Sequence, residues 1–154
     1  MSAAELLAAA RAAGITVTTA ESCTGGLLAG AITTPPGASD IFRAGVVTYS
    51  NEAKTKHLGV SEATLDAHGA VSEEVAREMA IGALGRANAD LALSVSGIAG
   101  PGGSEHKPEG RVCFGCATAQ ACVTQTVDFG PLGRDAVRAA SVDHAIALAL
   151  EALR

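Results

Sequence analysis

Aromatic residues are nearly missing from this 154-residue chain, which has no Trp, one Tyr and three Phe. Few rings leave little to stack on bases, and a net charge of −5 leaves no basic stripe for a phosphate backbone, so a nucleic-acid surface is excluded. Long apolar runs are missing too, since none approaches the roughly 20 residues of a membrane span. The start, Met1-Ser2-Ala3-Ala4-Glu5-Leu6-Leu7, lacks the basic flank of a secretory signal. A cytoplasmic protein with a small-molecule partner, neither membrane nor nucleic acid, is expected.

Cysteine is sparse as well. Cys23, Cys113, Cys116 and Cys122 are too few and too uneven in spacing for the disulfide framework of a secreted domain. Cys113-Phe114-Gly115-Cys116 matches C-x-x-C, but it falls in a run that reads as a strand, where residues three apart point to opposite faces. Buried structural thiols are therefore expected rather than a redox or zinc pair. His57, His68, His106 and His144 are scattered, with no helical metal-ligand spacing, so neither a metal site nor a cofactor is expected.

What the chain does have is aliphatic bulk. Hydrophobic residues make up 48% and charged residues 18%, which fits one folded domain over residues 1–154 with a core of Leu, Val, Ile and Ala. Helical and strand periods alternate along it. Ala3 to Ala13 reads as a helix closed by Gly14, Ile15 to Thr19 as a strand, 23–33 as a helix ended by Pro35-Pro36-Gly37, and Arg43 to Tyr49 as a second strand. Two short helices, Asn51 to Leu58 and one capped by Ser61, read as surface connectors. Ser72 with Glu73 and Glu74 starts a stronger helix whose Val75, Met79, Ala83 and Leu84 share a face. Leu91 to Val95, Val112 to Ala117 and Cys122 to Phe129 read as strands, the last two an antiparallel pair, and Arg134 to Leu153 as a closing helix. The fold class this predicts is α/β, a mixed β-sheet covered by helices.

Chemistry-bearing residues gather in the loops after strands. Ala20-Glu21-Ser22-Cys23-Thr24-Gly25-Gly26 leads from a strand to a helix; if Ser22 opens that helix, its Oγ sits where N–H groups and the dipole favour negative charge. An N-cap hydroxyl with glycines easing a tight turn would look the same. Val47-Thr48-Tyr49-Ser50-Asn51-Glu52-Ala53-Lys54 sets the only tyrosine at a strand exit and a lysine on the next helix. A lysine at its ordinary pKa of about 10.4 is no base, but burial or a second cation lowers it, and Lys54 could then take a proton from Ser22 with Tyr49 relaying or orienting it. A solvated lysine and a packing tyrosine are the plain alternative. A Cys23–His dyad is a further option, though nothing selects a particular histidine.

The loop from Ser96 to Gly110 is long for a compact domain. Its glycines, Gly97 and Gly100 among them, let backbone N–H groups approach an anion, and Lys107 adds a point charge. It is neither a Walker A loop nor a dinucleotide fingerprint.

Together, Thr19-Ala20-Glu21-Ser22-Cys23-Thr24-Gly25-Gly26, Val47-Thr48-Tyr49-Ser50-Asn51-Glu52-Ala53-Lys54, His68-Gly69-Ala70-Val71-Ser72 and Ser96-Gly97-Ile98-Ala99-Gly100-Pro101 closely resemble the CinA C-terminal family. That family is named for competence-damage-inducible protein A and includes nicotinamide-nucleotide amidohydrolases. The resemblance runs over nearly the whole chain, in order. It implies metal-free hydrolysis of the carboxamide of nicotinamide mononucleotide, giving nicotinic acid mononucleotide and ammonia, with Ser22 as nucleophile, Lys54 as base and Tyr49 in support. It also implies that the glycine-rich loops, with Ser96, Gly97 and Gly100, and a basic position near the last helix, for which Arg134 is chosen, hold the nucleotide. Amide hydrolysis further needs oxyanion donors, expected from the backbone N–H groups around Thr24, Gly25 and Gly26, and Lys107 is a second group able to pair with the phosphate. Arg138, one turn beyond Arg134, reads equally as a plain surface charge. A stand-alone form and a homo-oligomer, a dimer, are expected on the same ground. Arg111 stands where the family pattern has a small hydroxyl residue, which bears on affinity rather than reaction class. The alternative within the family is a nucleotide-binding accessory or sensor domain without turnover.

Overall fold

The computed structural model describes residues 2–104 and 106–154. Local signals set most of the helix ends. Ser2 accepts from the Glu5 N–H at the start of α1 (Ala3–Ala13), and Gly14, at φ 68°, closes it in the left-handed conformation. Ser50, Ser61 and Ser72 cap α3 (Asn51–Leu58), α4 (Glu62–His68) and α5 (Glu73–Ala87) in the same way, each accepting the N–H three residues on. The chain closes with α6 (Arg134–Ala152).

Five strands, β1 (Val17–Glu21), β2 (Phe42–Val47), β3 (Leu91–Gly97), β4 (Arg111–Thr118) and β5 (Cys122–Asp128), form one mixed sheet in the order β2-β1-β3-β4-β5. The first three are parallel; β4 and β5 run antiparallel to their neighbours as a hairpin. This is the mixed α/β sheet that the sequence pattern predicts.

Alternation along β3 divides its side chains between two unlike cores. Leu91, Leu93 and Val95 join Leu6, Leu7 and Ala10 of α1, Leu28 and Ile32 of the short α2 (Leu27–Ile32) and Val137, Ala145 and Ile146 of α6 in the larger cluster. On the opposite face Ala92 meets α5, while the Ser94 hydroxyl donates to the Ala76 carbonyl at 2.6 Å. Small residues there let the α5 backbone lie close to the sheet, and a Cβ on Gly115 of β4 would come within 2.8 Å of the Ala76 carbonyl oxygen. Cys116 joins the larger cluster and Cys113 the α5 side, so the two sulfurs diverge as the strand period requires.

Crossovers explain where a crevice forms. The β1-to-β2 connection passes through α2 on one face, whereas α3, α4 and α5 carry the chain from β2 over the other face to β3. Loops leaving the carboxyl ends of β1, β2 and β3 therefore part in opposite directions, the switch point at which open α/β sheets bind ligands. Contrary to the reading of α3 as a surface connector, its Lys54 and Leu58 are each 1% exposed. None of the described helices is long and apolar enough to cross a membrane.

Gly82 is the contact on which α3 and α5 close, because a Cβ there would overlap the Leu58 carbonyl oxygen. Gly82→Ala is expected to cost about 1–3 kcal/mol through overpacking, read as a lower midpoint in urea unfolding at unchanged slope.

Candidate active site

Backbone pairing pins the end of β1 from both sides. Glu21 stands opposite Val47 of β2 and Val95 of β3; the Ser22 N–H donates to the Val95 carbonyl at 2.9 Å, and the Thr48 N–H donates to the Glu21 carbonyl at 2.8 Å. Strand alternation then separates neighbours. Glu21 turns toward α2 and Ser22 toward α3. There Lys54 Nζ donates to Ser22 Oγ at 3.0 Å and to the Thr48 carbonyl at 2.9 Å. Ser22 is 8% exposed, so the pair lies at the floor of an opening and not on the surface.

The helix after this turn begins later than the sequence suggests. Residues 23–26 form a turn and α2 starts at Leu27, so Ser22 does not open a helix. The donors at that helix start are already engaged: Glu21 Oε1 accepts the N–H groups of Gly26 (3.2 Å) and Leu28 (2.9 Å), and Oε2 accepts that of Ala29 (3.0 Å). The carboxylate is 0% exposed. Gly26 takes φ 104°, a conformation other residues rarely adopt, and this lets the chain fold back so sharply onto the strand end. The Gly25 N–H donates to the Ser22 carbonyl. Of the N–H groups from Cys23 to Gly26, only those of Cys23 and Thr24 have no oxygen acceptor among the described residues.

A cavity of about 300 Å³ opens over Ser22 and Lys54, walled by Cys23, Tyr49, Asn51, Ala70, Val71, Arg134 and the stretch Ser96 to Ser104. Tyr49 is 61% exposed at its rim. Its hydroxyl accepts from Arg134 (2.8 Å), whose other terminal nitrogen donates to the Gly100 carbonyl at 2.7 Å. Arg134 thus bridges the loops after β2 and β3. Both acceptors are neutral, and among the described residues no carboxylate pairs with this guanidinium.

The expected site residues are only partly brought together. Ser22, Tyr49, Lys54, Ser96, Gly97, Gly100 and Arg134 line the cavity; Thr24, Gly25, Gly26 and Lys107 do not. Thr24 is buried, with no partner for its hydroxyl among the described residues. Ser96 lends its hydroxyl to the Ala70 carbonyl at 2.8 Å. Lys107 straps the long loop to the α4–α5 turn by donating to the carbonyls of His68 and Val71. Arg138 is no plain surface charge, since its Nε donates to the Cys23 carbonyl at 3.1 Å and so braces the turn after Ser22. The Tyr49 hydroxyl is bonded to Arg134. Asn51, one helical turn before Lys54 on α3, is a wall residue that sequence reasoning passed over; the i, i+3 spacing from the lysine was the available signal. Among the described residues, no group of three or more His, Cys, Asp or Glu could hold a metal ion.

With this geometry in place, comparison with known proteins assigns the chain. Residues 1–153 match the CinA C-terminal domain, and the chain belongs to that family. It is 56% identical over 140 residues to the nicotinamide-nucleotide amidohydrolase PncC of Escherichia coli strain K12, a match covering 90% of this chain and 84% of that protein. A CinA-like protein of Chloroherpeton thalassium is 61% identical over 107 residues, 69% of this chain; the match spans about a quarter, 26%, of that longer relative. The crystal structure of the competence/damage inducible protein CihA from Agrobacterium tumefaciens is similar at a TM-score of 0.93 and 43% identity, over 98% of this chain and 92% of that one.

Cys23 adjoins Ser22 in the cavity wall, yet its environment argues against a nucleophilic thiolate. Burial first of all, with the nearby Glu21 charge adding to it, pushes its thiol up to about 11 against the opposing pull of a backbone hydrogen bond, Lys54 and Arg138. At pH 8 the thiolate fraction is then on the order of a hundredfold below that of an ordinary thiol. Alkylation of Cys23 by iodoacetamide, followed by peptide mass mapping, is expected to be correspondingly slow at pH 8 and to accelerate toward pH 11. Rapid labelling at pH 8 would contradict this.

Proposed function

We propose that this chain is a nicotinamide-nucleotide amidohydrolase, converting nicotinamide mononucleotide and water to nicotinic acid mononucleotide and ammonia. The observation that carries the reading is the 3.0 Å approach of Lys54 Nζ to Ser22 Oγ at the base of the cavity. Desolvation penalises an ammonium far more than an amine, which is the physical basis on which an interior lysine serves as a base. In the neutral amine one N–H stays on the Thr48 carbonyl and the lone pair turns to the serine hydroxyl.

Ser22 Oγ attacks the carboxamide carbon while Lys54 takes its proton, giving a tetrahedral oxyanion. The N–H of the residue after the nucleophile is a recurrent donor to such an oxyanion, and Cys23, with Thr24 beside it, is free to supply it. Lys54 returns the proton to the amide nitrogen, the C–N bond breaks, and ammonia leaves a nicotinoyl ester on Ser22. Water, deprotonated by the same amine, attacks that ester; the C–Oγ bond breaks, Ser22 recovers its proton from the lysine, and the pyridine carboxylic acid departs, its remaining proton going to the ammonia released.

The substrate phosphate needs a positive group at the far end of the cavity. Arg134 suits it, because its guanidinium is held by two neutral oxygens and its charge is left for an anion. Lys107, committed to two carbonyls, sits outside the lining and gives only a diffuse field.

Ser22→Ala is expected to lower ammonia release by about 10³-fold or more while nicotinamide mononucleotide still binds in calorimetry. Retained turnover removes Ser22 as nucleophile, and binding without ammonia in the unaltered protein makes the chain a sensor. Arg134→Ala is expected to raise KM about 10- to 100-fold, the loss of one charge-assisted contact. An unchanged KM takes Arg134 out of the phosphate site.

A further inference from the structure

Two stretches offer backbone N–H groups to an anion, the start of α2 and the glycine loop after β3. Both are met by the chain's own carboxylates: Glu21 at the first, and Glu109, which accepts the Gly102 N–H at 2.6 Å, at the second. Glu21 differs in being wholly buried and directly bonded in sequence to Ser22. Its carboxylate gathers N–H groups five, seven and eight residues on, which draws the first turn of α2 down onto the strand end. The chain between, residues 22–26, is left one tight conformation. Lys54, the amine bonded to Ser22 Oγ, comes from α3 on the other face of the sheet, so Glu21 and Ser22 are fixed by different layers of the fold.

We propose that Glu21 is a positioning residue for the reaction: by anchoring α2 to the end of β1 it holds the Ser22 turn in the one arrangement that presents Oγ to Lys54. This rests on Ser22 being the nucleophile. Negative charge and two acceptor oxygens are both needed, because all three partners are donors. Glutamine keeps one acceptor but sets its NH2 against an N–H, and aspartate keeps the charge one methylene short of the helix.

The test compares the unaltered protein with Glu21→Gln and Glu21→Asp. In Glu21→Gln, kcat for nicotinamide mononucleotide per folded molecule, with folding followed by circular dichroism, is expected to fall on the order of 10²-fold with KM within about threefold. Glu21→Asp falls between. A purely structural role would lower the unfolding temperature and leave kcat per folded molecule unchanged, and that result overturns the proposal. Labelling of Ser22 by a fluorophosphonate, with Ser22→Ala as the blank, supplies a readout that needs no nucleotide and is expected to slow in the same order. Should Glu21→Gln not fold, Glu21→Asp decides: labelling at the unaltered rate overturns the proposal, slowed labelling supports it. An unaltered protein that releases no ammonia, yet labels at Ser22 faster than either Glu21 variant, overturns the amidohydrolase reading and leaves the role of Glu21 standing. No labelling of Ser22 in the unaltered protein overturns both.

Discussion

The structure turns on seating one lysine amine, 1% exposed, at the carboxyl ends of the parallel strands. An interior amine must find oxygens, and Lys54 finds two on separate connections: the Ser22 hydroxyl after β1 and the Thr48 carbonyl after β2. The Thr48 N–H in turn bonds the carbonyl of Glu21, so the same backbone registers both strands and both acceptors. Helix α3, packed against α5, delivers that amine. The close approach at Gly82 and the burial of Leu58 are the packing side of this requirement.

Anion chemistry is distributed by the same economy of partners. The helix start and the glycine loop that could have met a phosphate have carboxylates of the protein against them, and Lys107 is spent on carbonyls. Among the described residues Arg134, at the cavity rim, and Arg138, behind the turn after Ser22, bond neutral oxygens and pair with no carboxylate. An acidic protein can thus keep cationic groups beside one cavity without a basic surface. The close approach of α5 to β3 and β4, at Ser94 and Gly115, accompanies the placing of the Ala70–Val71 turn in the cavity wall.

Helix ends were legible where a capping residue writes them into the chain, as with Gly14 after α1 or Ser72 before α5. The boundary at α2 was not, because its cap is a buried side chain from the preceding strand and not a local hydroxyl, and because Thr16 to Thr19 gave no signal of where the strand stops. Strand β1 accordingly runs two residues further than its β-branched run, to Glu21. Likewise α3 looked like a polar connector, with Lys54 one of two lysines among polar neighbours. A periodicity argument counts that lysine as solvent-facing, whereas the sheet edge supplies the acceptors that let it go inside.

What the sequence by itself determined was the alternation of strands and helices, the mixed sheet, the family and the list of candidate side chains, because hydrophobic period, capping and motif order are local properties of the chain. Tertiary structure alone decided which of those side chains meet. Ser22 and Lys54 are 32 residues apart, as are no two groups that a helical or strand period could join, and Tyr49 and Arg134 are 85 apart. Those distances close only when crossovers pass on opposite faces of the sheet and bring three loop ends to one crevice. That packing also decided which cations hold the loops, as Lys107 and Arg134 do through backbone carbonyls.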